Sequence, residues 1–149
     1  MLRQWFLVLL ALAVGGGAAA QDALLRRYDR VEIAPTKTSV YVANVTMTIS
    51  AFTRKAGIYE ATYAAEVFPF FFYNEQGRLF IEVSDDALRR LARGEPLDFT
   101  GHGVNTSGKT RHIDGRAVPL DATKGTIKVR VFITKRIQLV FNTTYRFGN

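Results

Sequence analysis

The chain has 149 residues, with 20 Lys and Arg against 13 Asp and Glu, a net charge of +7, and no cysteine. Thiol chemistry and a disulfide framework are therefore excluded, and a hydrophobic core must hold the fold together. The length suits one domain, and the basic balance favours anionic partners such as lipid head groups or acidic glycans.

Residues 1–20 read as a secretory signal peptide. Arg3 supplies the charged start, "FLVLLALAV" (6–14) the apolar run, and Ala18 and Ala20 the small residues before a cleavage point at Gln21. The run is shorter than the roughly twenty apolar residues of a spanning helix, and no later stretch is long enough to span as one. Cleavage would remove Arg3 and leave 19 basic and 13 acidic side chains, a net +6. An exported chain without cysteine suits a bacterial periplasm or cell envelope, so the expected location is secreted, and nucleic acid is not an expected partner. Sequons begin at Asn44, Asn105 and Asn142; they would matter only in a eukaryotic secretory pathway.

Residues 21–35 read as an N-terminal leader or short helix. Leu24, Leu25, Tyr28 and Val31 are loosely helical in spacing, and Pro35 ends the segment. A single β domain is expected over 36–149. In "NVTMTISAF" (44–52), Val45, Met47, Ile49 and Ala51 share one face. In "IYEATYAAEV" (58–67), Tyr59, Ala61, Tyr63, Ala65 and Val67 do the same. The two segments read as a hairpin with one wet face.

"VFPFFFY" (67–73) breaks that alternation. A four-residue turn at "NEQG" (74–77) would pair Phe72 with Leu79, Phe70 with Ile81 and Phe68 with Val83, all in the core. A β-bulge is then needed near Val67–Phe68 to bring both runs to one core. Phe71, Tyr73 and Phe80 would be left as an outer aromatic patch beside Arg78.

"SDDALRRLARG" (84–94) marks a helix over 84–93. Ser84 is the N-cap, Asp85 and Asp86 sit at the positive end of the dipole, and Gly94 supplies the stop. Leu88 and Leu91 form its narrow apolar stripe. "PLDFTGHGV" (96–104) and "RHIDGRAVPL" (111–120) flank a turn at Gly108, and Gly101 and Gly115 within them suggest bends or close backbone approach. "GTIKVRVFI" (125–133) and "RIQLVFNTTYRF" (136–147) alternate cleanly, with Ile127, Val129, Val131, Ile133, Leu139, Phe141, Tyr145 and Phe147 on apolar faces. The fold class is all-β and mainly antiparallel: a β-sandwich or small half-open barrel of about seven or eight strands with one short α-helix.

No nucleophile elbow, phosphate loop or dinucleotide fingerprint is present, so no enzyme and no cofactor are expected. His102 and His112 come opposite each other if the Gly108 turn has three residues, with Asp114 diagonal to them. That is a minimal set for a metal, though two surface histidines on a polar hairpin are the simpler reading. Asp85 and Asp86 are adjacent on a helix and do not face each other. Lys128 and Arg130 project from one face of a strand, near Lys124, Lys135 and Arg136, and the helix adds Arg89, Arg90 and Arg93.

The C-terminal "TTYRF" resembles the end of outer-membrane β-barrel proteins, with Tyr145 and Phe147 at the aromatic spacing. The resemblance implies a lipid-facing final strand. Gly148 and Asn149 follow the last aromatic, and the polar faces carry many charges for a small lumen. A periplasmic barrel that holds a long apolar ligand, as lipocalins do, also suits the size and export; that is a likeness of architecture with no motif behind it.

The function expected from the sequence is an exported, non-enzymatic binding protein of the cell envelope. It would hold an apolar, amphipathic or anionic ligand, or a protein partner, through Phe71, Tyr73, Arg78, Phe80, Lys128 and Arg130. The alternative is a structural envelope protein, either a self-assembling subunit or a small outer-membrane barrel. Expected partners are a lipid or anionic envelope component, a protein, or a second copy.

Overall fold

The computed structural model describes Gly17 and residues 23–148. The signal-peptide expectation over 1–20 lies, Gly17 apart, outside the described residues. Ten strands follow in order: β1 (Arg30–Ile33), β2 (Thr36–Val40), β3 (Ala43–Ile49), β4 (Phe52–Lys55), β5 (Ile58–Phe68), β6 (Glu75–Glu82), β7 (Leu97–Asn105), β8 (Thr110–Pro119), β9 (Lys124–Phe132) and β10 (Gln138–Phe147). One α-helix, α1 (Asp85–Ala92), joins β6 to β7.

These strands make eight staves of a closed antiparallel barrel. β1 and β2 are one stave broken at Ala34–Pro35, and β3 and β4 are another broken at Ser50–Ala51. Each stave pairs with its sequence neighbours, and β1 closes the cylinder on β10 through Val31 opposite Phe147 and Ile33 opposite Tyr145. The expected all-β, mainly antiparallel fold of about eight strands with one short helix is present, as a barrel that closes fully rather than a sandwich or a half-open one. The strand pattern begins at Arg30 rather than Thr36, so part of the expected leader is a barrel strand; only 23–26 forms a helical turn.

The period-two alternation sets which face is inside. Val45, Met47, Tyr59, Ala61, Tyr63, Leu79, Ile81, Ile113, Val131, Leu139, Phe141 and Tyr145 are all buried in one interior cluster. Threonines and charged side chains take the alternate positions. Two glycines, Gly115, which the sequence singles out, and Gly125, which it does not, make room for rings. A side chain on Gly115 would run into the ring of Phe99 opposite it, and one on Gly125 into the ring of Tyr145. Gly101 and Gly115 do not face each other: their partners are Ile113 and Phe99.

The bulge sits elsewhere than expected. Ile49 opposes Tyr63 while Thr53 opposes Glu60, so four steps on β3–β4 face three on β5. Ser50 manages the break: its N–H donates to Thr62 O and its hydroxyl accepts from Thr62 N, each at 2.9 Å. The inward phase shifts there from Ile49 to Phe52, so Ala51 does not continue the apolar face.

The aromatic run is corrected as well. Ala65 opposes Glu75 and Tyr63 opposes Gly77, so residues 75–77 belong to β6 and the connection is the loop 69–74. Phe71–Tyr73 forms a 3-10 turn with no buried residue, and Phe68, Phe71, Phe72 and Tyr73 are exposed. Phe68 and Phe72 are thus not core residues. No bulge forms at Val67–Phe68, because the loop absorbs the change of phase. Asn74 fixes the loop base, its Oδ1 accepting from Val67 N at 2.7 Å.

The helix forms as the sequence indicates. Ser84 Oγ accepts from Ala87 N at 3.1 Å. Gly94, at φ +87°, closes the far end, with Gly94 N donating to Leu91 O and Glu95 N to Arg90 O. Ala87, Leu88 and Leu91 face the barrel. Arg54, only 8% exposed, ties the helix start to the wall by donating to Val83 O at 2.7 Å and Asp85 Oδ1 at 2.8 Å.

The two barrel ends differ. At one lie α1, the segment 23–29, the Ala56–Gly57 turn and the loop 120–123; the stave start at Arg30 and stave end at Phe147 are also there. This closed end is packed by Leu25, Tyr28 and Leu88. At the opposite, aromatic end lie the turn Tyr41–Val42 and the loops 69–74, 106–109 and 133–137.

Candidate functional site

Three features merit chemical consideration: an apolar interior, a polar cluster beside it, and the aromatic end.

The interior holds a cavity of about 120 Å³ between α1 and the middle of the barrel. Met47, Phe52, Ile81, Leu88, Phe99, Ala117, Ile127 and Phe141 line it, with the hydroxyl-bearing Thr36, Thr143, Tyr59 and Tyr145 among them. An eight-stranded barrel is just wide enough to be filled by side chains or to hold one small ligand. Here Gly115 and Gly125 face the rings of Phe99 and Tyr145, Ala117 lines the space, and the filling is incomplete. Tyr59 is satisfied, donating to Tyr28 O. Tyr145 Oη is buried with no hydrogen-bond partner, and burial pushes the phenol up to about 12. Tyr145 Oη lies beside Gly125, and the cavity wall itself presents no polar atom.

Toward the aromatic end four inward-facing side chains form a polar cluster. Glu75 Oε1 accepts from Arg111 and from Asn105 Nδ2, each at 2.9 Å, and Glu75 Oε2 accepts from Tyr63 Oη at 2.7 Å. Arg111 also donates to Ile133 O at 3.2 Å. The cluster ties β5, β6, β7, β8 and the end of β9 together across the inner wall. Its sequence signal was present: Glu75 and Arg111 are opposite charges on the inward phase of their strands, where neither stays unpaired. The wrong turn at 74–77 concealed Glu75.

The aromatic end exposes Tyr41, Val42, Phe68, Phe71, Phe72 and Tyr73, six of the nine large exposed hydrophobics among the described residues. Phe68 and Phe71 meet edge to face at 5.9 Å, and Phe72 and Tyr73 lie 4.6 Å apart. Asn44 opposes Phe68, which brings the Tyr41–Val42 turn beside the loop 69–74. Tyr41 has φ +52° and its side chain is 85% exposed. A left-handed position takes glycine or asparagine readily, whereas a tyrosine there costs roughly 1–2 kcal/mol. Tyr41 and Val42 escaped the sequence reading because a two-residue turn without Gly or Asn gives no turn signal.

The predicted site residues are dispersed. Phe71 and Tyr73 are exposed on the loop, but Phe71 does not oppose Phe80, nor Tyr73 Arg78. Phe80 pairs with Glu60 and His102 on the outer wall, eight residues along β5 from Phe68, about 26 Å. Arg78 pairs with Glu60 and lies 5.5 Å over the Phe80 ring. Lys128 and Arg130 do share the outer face of β9, opposite Arg116 and Asp114. Asp98 and Arg116 bond nearby at 3.1 Å, so the region is a mixed-charge surface rather than a basic one. His102 and His112 are direct cross-strand partners, as the Gly108 turn indicates. Each faces a phenylalanine ring, His102 on Phe80 at 5.2 Å and His112 on Phe132 at 5.3 Å. Among the described residues no group of three metal-ligating side chains comes together, and no helix is long and apolar enough to cross a membrane.

Tyr145 and Phe147, the residues that carry the resemblance to outer-membrane barrels, point inward: Tyr145 is buried, and Phe147 packs edge to face on Tyr28 at 4.6 Å. No family model, curated protein or solved structure matches the chain.

Proposed function

We propose that the protein is an exported binding protein of the cell envelope that holds an apolar or amphipathic ligand inside its barrel. The observation that carries this reading is the cavity of about 120 Å³ with its aliphatic and aromatic lining. Apolar cavities on the order of 150 Å³ stay dry and take guests the size of benzene. The space therefore suits a single ring or a short stretch of hydrocarbon chain. Export rests on the pattern of residues 1–20.

Sidedness supports a carrier over a membrane-spanning barrel. Lipid-spanning barrels turn an apolar band outward, whereas here Lys128, Arg130, Asp114, Arg116 and Glu60 lie on the outer wall. A second reading, a self-assembling envelope subunit, draws on the exposed aromatic end as a contact between copies.

Native mass spectrometry of the protein purified without detergent, with calorimetric titration of benzene as the probe, tests the carrier. Either a co-purified apolar molecule or saturable probe uptake is expected. Ala117→Leu, which adds volume inside the cavity, should weaken probe binding at least about tenfold. Equal uptake by wild type and Ala117→Leu would remove the interior site. A discrete oligomer with no uptake would favour the subunit.

A further inference from the structure

We infer that the aromatic end of the barrel docks on an anionic lipid surface. This stands whether or not the interior takes a ligand, because it concerns the loop tips and not the cavity.

In an up-and-down barrel every second connection lies at the same end. Here the turn Tyr41–Val42 and the loops 69–74, 106–109 and 133–137 share one end. Two of them carry exposed apolar tips, with Tyr41, Val42, Phe71 and Phe72 between 61% and 85% exposed. The other two carry Lys109, Lys135 and Arg136, all exposed. No Asp or Glu occurs in 41–42, 69–74, 106–109 or 134–136. At the closed end, by contrast, Asp29, Asp85, Asp86, Glu95 and Asp121 are interleaved with the cations, and several are paired with them.

The four loops are coupled. Thr106 N donates to Gln76 O at 3.0 Å, joining the Lys109 loop to the base of the aromatic loop. Arg111 donates to Ile133 O, joining it to the Lys135–Arg136 loop. Aromatic side chains on projecting tips, flanked by cations with no acid among them, match the boundary between acyl chains and anionic head groups. The rings would enter the boundary while Lys109, Lys135 and Arg136 meet the phosphates. Each cation near such a surface strengthens partitioning by up to about fivefold.

Vesicle flotation of the full chain tests this. Vesicles of phosphatidylcholine are compared with vesicles containing about 30 mol% phosphatidylglycerol, at low and high salt. Wild type should float with the anionic vesicles, and release on raising the salt. Phe71→Ser with Phe72→Ser, and separately Lys135→Glu with Arg136→Glu, should each lower partitioning at least about tenfold. Leu120→Ser, an exposed apolar residue at the closed end, should change nothing. Thermal unfolding of each variant establishes that it is folded, and benzene binding without vesicles reports the interior separately. Two results overturn the inference: no flotation of wild type with anionic vesicles, or flotation that all three variants retain. A dimer in light scattering, dissolved by Phe71→Ser with Phe72→Ser, would assign the end to a second copy and also overturn it.

Discussion

At Glu75 two effects oppose each other. Burial works to raise the carboxyl, but hydrogen bonds from Arg111, Asn105 and Tyr63, with the Arg111 charge, outweigh it and hold it below the usual carboxylate range. The proton is therefore bound more tightly in the unfolded chain, where a glutamate titrates near about 4.3. The stabilisation is fully present above that value and is lost as the pH falls through the lower, folded-state one. Glu75→Gln should cost about 2 kcal/mol at neutral pH, less than the loss of a fully buried partner because the pair is partly exposed. Urea unfolding as a function of pH checks both parts: the variant should be weaker at pH 7, and its stability should fall less steeply in acid. Arg111 keeps its bond to Ile133 O in the variant but loses its counter-charge, which is why an isosteric change is not silent. The site residues legible at this scale were those with an unambiguous phase. Lys128 and Arg130 were placed on the outer wall, and His102 opposite His112, from alternation and one glycine turn.

Alternation predicted the strands well wherever polar and apolar residues took turns, as in β5, β9 and β10. It failed at residues 68–72 because an aromatic run has no polar position to set its phase. The register that a four-residue turn at 74–77 imposes buries Phe68, Phe70 and Phe72 against β6, and the structure does not adopt it. Residues 75–83 carry the missing information: Gly77, Leu79, Ile81 and Val83 have the same parity as Tyr59 to Val67, so the strands pair without a bulge if the rings are left in a loop. Pro69, with no N–H for a ladder, marks where pairing stops. Helix α1 was legible because its signals are local: a cap, a dipole and a glycine stop. That it closes a barrel was not, since this depends on contacts with β4 and on the interior. Leu88 is 0% exposed and lines the cavity. Leu88→Ala should therefore cost about 3 kcal/mol in chemical unfolding. It should also enlarge the cavity, so that the folded variant takes up bulkier apolar guests, such as naphthalene, than the wild type does.

Over the whole molecule, closure depends on residues more than a hundred positions apart. The β1–β10 seam has three opposed pairs, whereas β9–β10 has nine. The seam is reinforced by Ala34 N donating to Thr144 O at 3.0 Å and by two threonine hydroxyls, Thr36 to Asn142 O and Thr143 to Ala34 O. Such non-local pairing forms late and opens early. In native-state hydrogen exchange the amides of Ile33 and Ala34 should exchange at least about tenfold faster than those in the middle of β9 and β10; uniform protection would mean that the barrel opens only by global unfolding. The seam also places Arg30 and Phe147 together at the closed end. A short linker added after the last residue would therefore emerge on the far side from Tyr41 and Phe72. Anchored to a bead or sensor chip by that linker, every copy would present the same pole outward, a uniformly oriented layer with its aromatic tips unobstructed.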